Sequence, residues 1–289
     1  MKPKIAVLGA NGVYARHLIP RLAAAGYATR ALVRRPEAAS LARACGADIR
    51  LADIFDLAGL IAAMDGCEIC INLATSLPGP SGRGDFDSND RLRRDGTPIL
   101  VEACRKAGVA RLLQQSIAIV GAAGETVADE ATVYHAMPTD AASNAIEAAL
   151  AMEQVVRESG LDWLILRGAL FYGPGTGFDD EWFSRAAIGK LRLPGDGSDF
   201  VTLVHISDMA AATMLALEAW PSRDTLIIAD DEPTRWRDLF GHVAMLAGAA
   251  PPAPGGRLGF PSFRMSNRRA RSVLGWSPHY RSYHMGLAR

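Results

Sequence analysis

Lysine is nearly absent from this chain. Of 31 basic residues only Lys2, Lys4, Lys106 and Lys190 are lysines, so chemistry that needs an ammonium group has four places to find one. Excess charge is absent as well: 31 basic residues face 31 acidic ones, which leaves no electrostatic ground for nucleic acid or an anionic membrane as partner. No apolar run approaches the roughly 20 residues of a membrane span, and "MKPKIAVLGA" opens with too short an apolar run for a secretory leader. A cytoplasmic protein acting on a small molecule is expected. Cysteine is scarce too, and Cys45, Cys67, Cys70 and Cys104 fit reduced thiols in that compartment. Cys67 and Cys70 form a C-x-x-C inside the apolar "GCEICINLA". With no second ligand pair and no exposed helix start, that spacing reads as buried strand thiols, and no metal site is expected.

What is abundant is a repeating unit. Five times an alanine-rich amphipathic stretch runs through a glycine into an apolar segment: "AAAGYATRALV", "RACGADIRLAD", "AMDGCEICINLA", "RKAGVARLLQQS" and "RESGLDWLILRG". Gly26, Gly46, Gly66, Gly108 and Gly160 stand where a left-handed helix cap is required. Helix, glycine, strand, repeated, predicts an α/β protein with a Rossmann-type, doubly wound parallel sheet buried on both faces. With the opening strand this gives six strands, ending at Trp163 to Arg167. Past that point glycine and proline crowd in, around short helices expected at 208–218 and 236–246. The expected domains are therefore 1–168, a dinucleotide-binding domain, and 169–289, a smaller irregular substrate-binding region, with about 203–230 packing back on the first.

"IAVLGANGVYARHL" places Gly9, Asn11, Gly12, Val13, Tyr14 and Ala15 between the first strand and the first helix. Gly9 permits the tight turn, Gly12 lets backbone amides approach a pyrophosphate, and Ala15 lets the helix pack closely. The second strand ends in "ALVRRPE". Arg34 and Arg35 occupy the place where an acidic residue would hold the ribose hydroxyls of NAD(H), and guanidinium groups suit a 2′-phosphate, which favours NADP(H) over NAD(H); the alternative is that they only solvate a helix start. Asp53, with Ile54 beside it, is placed to reach the adenine or to cap the next helix. "NLAT", containing Leu73, Ala74 and Thr75, closes the fourth strand and should lie along the cofactor ribose.

With these residues in view the chain resembles the extended short-chain dehydrogenase/reductase superfamily, which includes NAD(P)-dependent epimerases and dehydratases of nucleotide sugars. The resemblance runs from Ile5 to about Tyr280 through "GANGVYA", "LADIFDLAGLIAAMDGCEICINLAT", "LRGALFYGPG", "VTLVHISDMAAA" and "NRRARSVLGWSP", and it adds Gly168 and Ala169 to the cofactor-binding residues. It also implies a tyrosine and, four residues later, a lysine on the helix before the sixth strand. Matching Glu153 to the family's glutamate puts Ala145 and Ala149 at those two positions, and no lysine of this chain has a tyrosine four residues before it. The helices around 89–107 and 141–159 are, by the same resemblance, where a homodimer would form. Leu170 and Val201 stand where the family's sugar-nucleotide diphosphate finds an asparagine and an arginine, so a smaller or more apolar substrate is expected.

The expected function is an atypical NAD(P)H-dependent reductase; the alternative is a non-catalytic NAD(P)-binding redox sensor or assembly protein. Hydride transfer depends on holding the nicotinamide, and a proton can come from elsewhere. Ser116 at the end of the fifth strand, Tyr172 in "FYGPG", and Tyr134 or His135 in the loop "ATVYHAMPTD" are the candidate catalytic groups. Ser116 could equally end a strand, and Tyr172 could equally be a packing aromatic. A tyrosine without a cationic neighbour keeps a pKa near 10, suited to donating a proton and not to accepting one, which favours reduction over alcohol oxidation.

Overall fold

The computed structural model describes residues 2–78, 84–137, 140 and 142–288. Two residues of the loop "ATVYHAMPTD", 138 and 139, and residue 141, where the second dimer helix was expected to begin, lie outside the described residues.

The opening strand and the strand of each helix-glycine-strand unit lie in one sheet: β1 (Ile5–Leu8), then β2 (Thr29–Val33), β3 (Asp48–Leu51), β4 (Ile69–Asn72), β5 (Arg111–Ile117) and β6 (Asp162–Gly168), joined by β7 (Asp224–Ile228). The order across the sheet is β7-β6-β5-β4-β1-β2-β3. Pairing is parallel and unshifted through β3-β2-β1-β4-β5, with Ile5 opposite both Thr29 and Ile69. The five linking glycines all have φ between 69° and 79°, a region an L side chain enters only at a cost of about 1–2 kcal/mol. β1 and β4 are buried along their whole length, which is why they read as continuous apolar runs instead of alternating ones.

β7 has no glycine before it. Its entry turn uses Trp220 at φ 38° and Arg223 at φ 54°. Asp162 secures the turn by accepting from the Trp220 indole N–H at 2.8 Å and the Ser222 hydroxyl at 2.6 Å, and the Arg223 amide donates to the Trp163 carbonyl at 2.8 Å. Three specific hydrogen bonds hold the turn where glycine would otherwise be chosen.

By contacts the chain divides into two compact units, neither of them one continuous segment: Met1–Ser116 with Glu147–Leu166 and Ala210–Thr225, and Ile117–Ile146 with Arg167–Met209 and Leu226–Arg289. Residues 117–146 leave the first unit at the end of β5, and within 203–230 only 210–225 belong to it. In the first unit, helix Leu57–Met64 begins at Asp56, whose carboxylate accepts from the Gly59 amide at 3.0 Å, and helix Phe86–Arg91 begins at Asp85, which accepts from Ser88 at 2.6 Å; such caps contribute about 1 kcal/mol each. Helix Phe86–Arg91 continues through a π-helical turn, Leu92–Gly96, into helix Thr97–Lys106. The second unit is built from short strand pairs, including Leu170–Tyr172 parallel to Leu203–His205 and Phe200–Val201 antiparallel to Thr234–Arg235. Helices Phe178–Ala187 and Trp236–Leu246 join in an aromatic cluster of Trp182, Trp236 and Phe240, with ring centroids 5.1–6.4 Å apart.

Candidate functional site

In the first unit the loop between β1 and helix Val13–Ala24 lies directly on the exit of β4. Gly9 has φ 78°, and a Cβ built on it would come within 2.8 Å of the Ala74 amide nitrogen and the Leu73 carbonyl. The Gly12 amide donates back to the Gly9 carbonyl at 2.9 Å. Helix Val13–Ala24 starts with no capping side chain and no acidic residue in its first turn. No side chain of the helix's own offsets its dipole there, and the dipole favours an anionic ligand at that end. The arrangement fits a dinucleotide pyrophosphate. Asn11, Gly12 and Val13 are partly exposed at this edge, whereas Tyr14 is buried and its hydroxyl bonds Thr213, so only its backbone faces the cradle.

The other expected cofactor residues of this unit fall at the carboxyl ends of the strands. Arg34 and Arg35 are both exposed, and neither makes an ion pair among the described residues. Asp53 caps no helix. Its carboxylate accepts from the Phe55 amide at 2.9 Å in an Asx turn, and Asp56 supplies the cap instead. Ile54 is buried against Gly96, where an added Cβ would meet its Cδ1 at 2.9 Å. Leu73 is buried, Ala74 half-buried and Thr75 exposed; the Ala74 amide is held by Asn72 Oδ1 at 3.1 Å, and Asn72 Nδ2 donates to Gln114 Oε1 at 2.9 Å.

Ser116, at the end of β5, is 0% exposed and donates its hydroxyl proton to Glu153 Oε1 at 2.7 Å. Glu153, equally buried on helix Ser143–Arg157, takes Arg157 Nη2 on its other oxygen at 2.8 Å. Ala149, one turn earlier, is buried. Glu153 was read in the sequence as a family landmark; that it takes the serine's proton is visible only in three dimensions.

In the second unit, Gly168 and Ala169 are buried, with the Ala169 amide on the Ile228 carbonyl at 3.0 Å and no room for a side chain at Gly168 beside the Phe171 ring. Tyr172 is 0% exposed. Its hydroxyl donates to the Ser282 carbonyl at 3.4 Å and its ring meets His205 edge-on at 5.2 Å. Burial foremost, then the carboxylates of Asp230 and Asp208, push its pKa up. Tyr134 is half-buried and donates to Asp140 Oδ2 at 2.7 Å; desolvation and that acceptor push its pKa up to about 12. Val201 is wholly buried and Leu170 half-buried, so neither position offers a diphosphate a polar partner.

The sequence did not single out Asp230, which is buried with Oδ2 unpartnered while Oδ1 accepts from the Glu232 amide at 3.3 Å. Desolvation, followed by neighbouring carboxylates, raises its pKa well above the ordinary range. A carboxyl with a raised folded pKa binds a proton that the unfolded chain has released. Its contribution to stability is thus full below the ordinary carboxylate pKa and declines, by up to about 1.4 kcal/mol per pH unit, as pH rises towards the folded value. Asp230→Asn keeps the acceptor for Glu232 and removes the ionisation. Thermal unfolding from pH 5 to 8 should show the variant losing less Tm with rising pH than the parent; parallel curves would show that Asp230 ionises at no cost.

Among the described residues, no helix is long and apolar enough to cross a membrane. Nor do three or more His, Cys, Asp or Glu side chains gather where a metal ion could be held. Cys67 and Cys70 are buried thiols whose pKa values are raised, Cys67 by desolvation and Cys70 by the Cys104 thiol and then desolvation.

Comparison with known proteins agrees with this geometry. A family model described as NAD(P)H-binding matches residues 9–179. A 3-diazoavenalumate denitrifying reductase of a Streptomyces species is 34% identical over 99% of both chains, and a ceramide reductase of Caulobacter vibrioides is 27% identical over 86% of this chain and 71% of its own. The solved structure of MoeE5 in complex with UDP-glucuronic acid and NAD superposes with a TM-score of 0.78 at 26% identity, covering 98% of this chain and 96% of that one. UDP-glucose 4-epimerase of Thermotoga maritima gives 0.81 at 21% identity, covering 98% and 96%. The chain belongs to the NAD(P)H-binding family within the extended short-chain dehydrogenase/reductase superfamily, and it is an NAD(P)-dependent oxidoreductase.

Proposed function

We propose that this oxidoreductase is a reductase that delivers hydride to a diazonium cation and replaces dinitrogen by hydrogen. One observation carries the reading: each hydroxyl that the sequence offers as a proton donor commits its hydrogen bond inside its own unit. Ser116 donates to Glu153, Tyr172 to the Ser282 carbonyl, and Tyr134 to Asp140. Ala145 and Ala149, on the helix where relatives would carry an acid/base pair, have no proton to give. Bound NAD(P)H supplies a hydride, and a diazonium cation plus hydride balances to the reduced carbon compound and N2 without any proton, whereas a ketone plus hydride is an alkoxide that needs one. With its hydroxyl hydrogen given to Glu153, Ser116 has no donor left for a developing alkoxide. The relative with 34% identity has reductive denitrification of a diazo compound in its name, which supports the same chemistry here.

The cofactor in this reading is NADP(H), supported by two exposed arginines at the end of β2. The substrate is not a nucleotide sugar, since Leu170 and Val201 leave a diphosphate without partners.

The reading is tested with purified protein, NADPH and a stabilised arenediazonium salt, following N2 release above the uncatalysed rate, beside a panel of ketones. Turnover is expected with the diazonium salt. Ser116→Ala, Tyr172→Phe and Tyr134→Phe should each stay within about threefold of the parent, roughly 0.7 kcal/mol in the barrier. Faster turnover of a ketone, lost on Tyr134→Phe, would make the protein a ketoreductase with Tyr134 as acid.

A further inference from the structure

Two arginines of the second unit lie against one aromatic ring. Phe200 pairs directly with Arg235 across the Phe200–Val201 and Thr234–Arg235 strands. The Arg235 guanidinium carbon is 4.3 Å from the Phe200 ring centroid and that of Arg264 is 4.9 Å from the same centroid. The ring is itself fixed: the Phe200 amide donates to Ser262 Oγ at 3.0 Å, and Ser262 donates onward to the Gly124 carbonyl at 3.4 Å. Arg264 sits on the strand Arg264–Met265, paired with Val127–Ala128.

The charges here do not balance. Among the described residues the two guanidiniums form one ion pair, between Arg235 Nη2 and the 74% exposed Glu125 at 3.0 Å, and Arg235 Nη1 also donates to the Ser198 carbonyl. Among the described residues Arg264 Nη1 donates to the Glu125 carbonyl at 3.5 Å, and its Nε is enclosed with no acceptor. Two like charges on one ring, with one exposed carboxylate between them, leave a positive charge and an unused donor. A planar anion answers both: a carboxylate takes two parallel N–H bonds from a guanidinium, and a conjugated chain or aryl ring stacks on a guanidinium plane as Phe200 does.

We infer that Arg235, Arg264 and Phe200 form a carboxylate subsite that recognises the substrate as a planar unsaturated acid. The inference rests on the reductase reading and narrows its substrate class. It also requires Arg264 to turn its Nε edge outward, which the missing acceptor favours.

Binding decides it without turnover. Calorimetric titration of cinnamate and of cinnamamide into the NADP+-loaded protein should show cinnamate bound at least about tenfold more tightly, a difference that added salt reduces. Arg264→Met should remove that preference by weakening cinnamate about tenfold while leaving cinnamamide within twofold. Arg264→Lys, which keeps the charge but not the paired donors, should fall between them, and equal Tm values for the three proteins exclude unfolding as the cause. Equal binding of acid and amide, binding of neither, an undiminished preference in Arg264→Met, or displacement of cinnamate by equimolar inorganic phosphate each overturns the subsite. A protein that passes this test but releases no N2 from a diazonium salt retains the subsite and loses the reductase reading; one that releases N2 without distinguishing acid from amide loses only the subsite.

Discussion

Gly9→Val should lose NAD(P)H binding by more than about 100-fold, close to 2.7 kcal/mol. Two costs combine. Gly9 holds φ at 78°, which a β-branched residue resists strongly. Its added Cβ would also fall 2.8 Å from the Ala74 nitrogen and from the Leu73 carbonyl carbon and oxygen. These are backbone atoms of the chain leaving β4, so no side-chain rotation relieves the overlap, and the loop must lift off the strand end. Lifting it breaks the 2.9 Å bond from the Gly12 amide to the Gly9 carbonyl and displaces the start of helix Val13–Ala24, which has no side-chain cap and would hold the pyrophosphate charge in the proposed site. Gly12→Ala is the graded control, since its Cβ would meet only the Gly9 carbonyl oxygen, at 3.2 Å, and a smaller loss is expected. Energy transfer from tryptophan to bound NADPH, with Tm recorded alongside, measures both variants. Gly9→Val binding within threefold of the parent would mean that the cradle is not where the pyrophosphate lies.

How far the sequence alone reaches can be judged from the sheet. Six strands were legible, the first as the apolar run before the glycine loop and the other five because each follows a glycine that ends a helix, and a glycine at a left-handed cap is visible to anyone reading residues in order. The seventh, Asp224–Ile228, was missed because its entry turn puts Trp220 and Arg223 at positive φ and fixes them through Asp162, some 60 residues earlier. A turn stabilised by distant hydrogen bonds leaves no local mark. The contact units leave no local mark either: 117–146 directly follows β5 in sequence, and its contacts place it with the second unit.

The candidate site divides along the same line. The turn at Gly9 and the exposure of the arginines after β2 were legible because backbone geometry and exposed charge are local properties. The hydroxyls were legible as chemical groups and not as proton donors. Ser116, Tyr172 and Tyr134 looked alike in sequence, but what each does depends on an acceptor: Glu153, 37 residues on; the Ser282 carbonyl, 110 residues on; and Asp140, only six residues on. Only the last could have been guessed from proximity. Arg235 and Arg264 lie 29 positions apart and meet only because two separate strand pairs bring them to Phe200.

Replacing Arg34 and Arg35 together by alanine should weaken NADPH about 30- to 100-fold while changing NADH less than twofold. Hydrogen bonds to charged groups contribute about 1.5–3 kcal/mol each when the partner is ionised on both sides, and exposure at the end of β2 places the pair towards the low end of that range. The fold should not notice. Both side chains are exposed, and neither is joined to a carboxylate among the described residues, so Tm should hold while affinity falls. Salt supplies an independent reading. The interaction is a surface one with a Debye length of about 10 Å at 0.1 M, so the parent's preference for NADPH should shrink as ionic strength rises, while the variant's affinities stay nearly flat. Arg34→Lys with Arg35→Lys separates charge from geometry: partial retention of NADPH binding follows if the phosphate is met by paired guanidinium bonds, and full retention if charge alone suffices. Equal weakening of both cofactors would put the arginines on the part that NADPH and NADH share. No change in either would reduce them to solvating the short turn Pro36–Ala38, and the cofactor preference would then have to come from another part of the first unit.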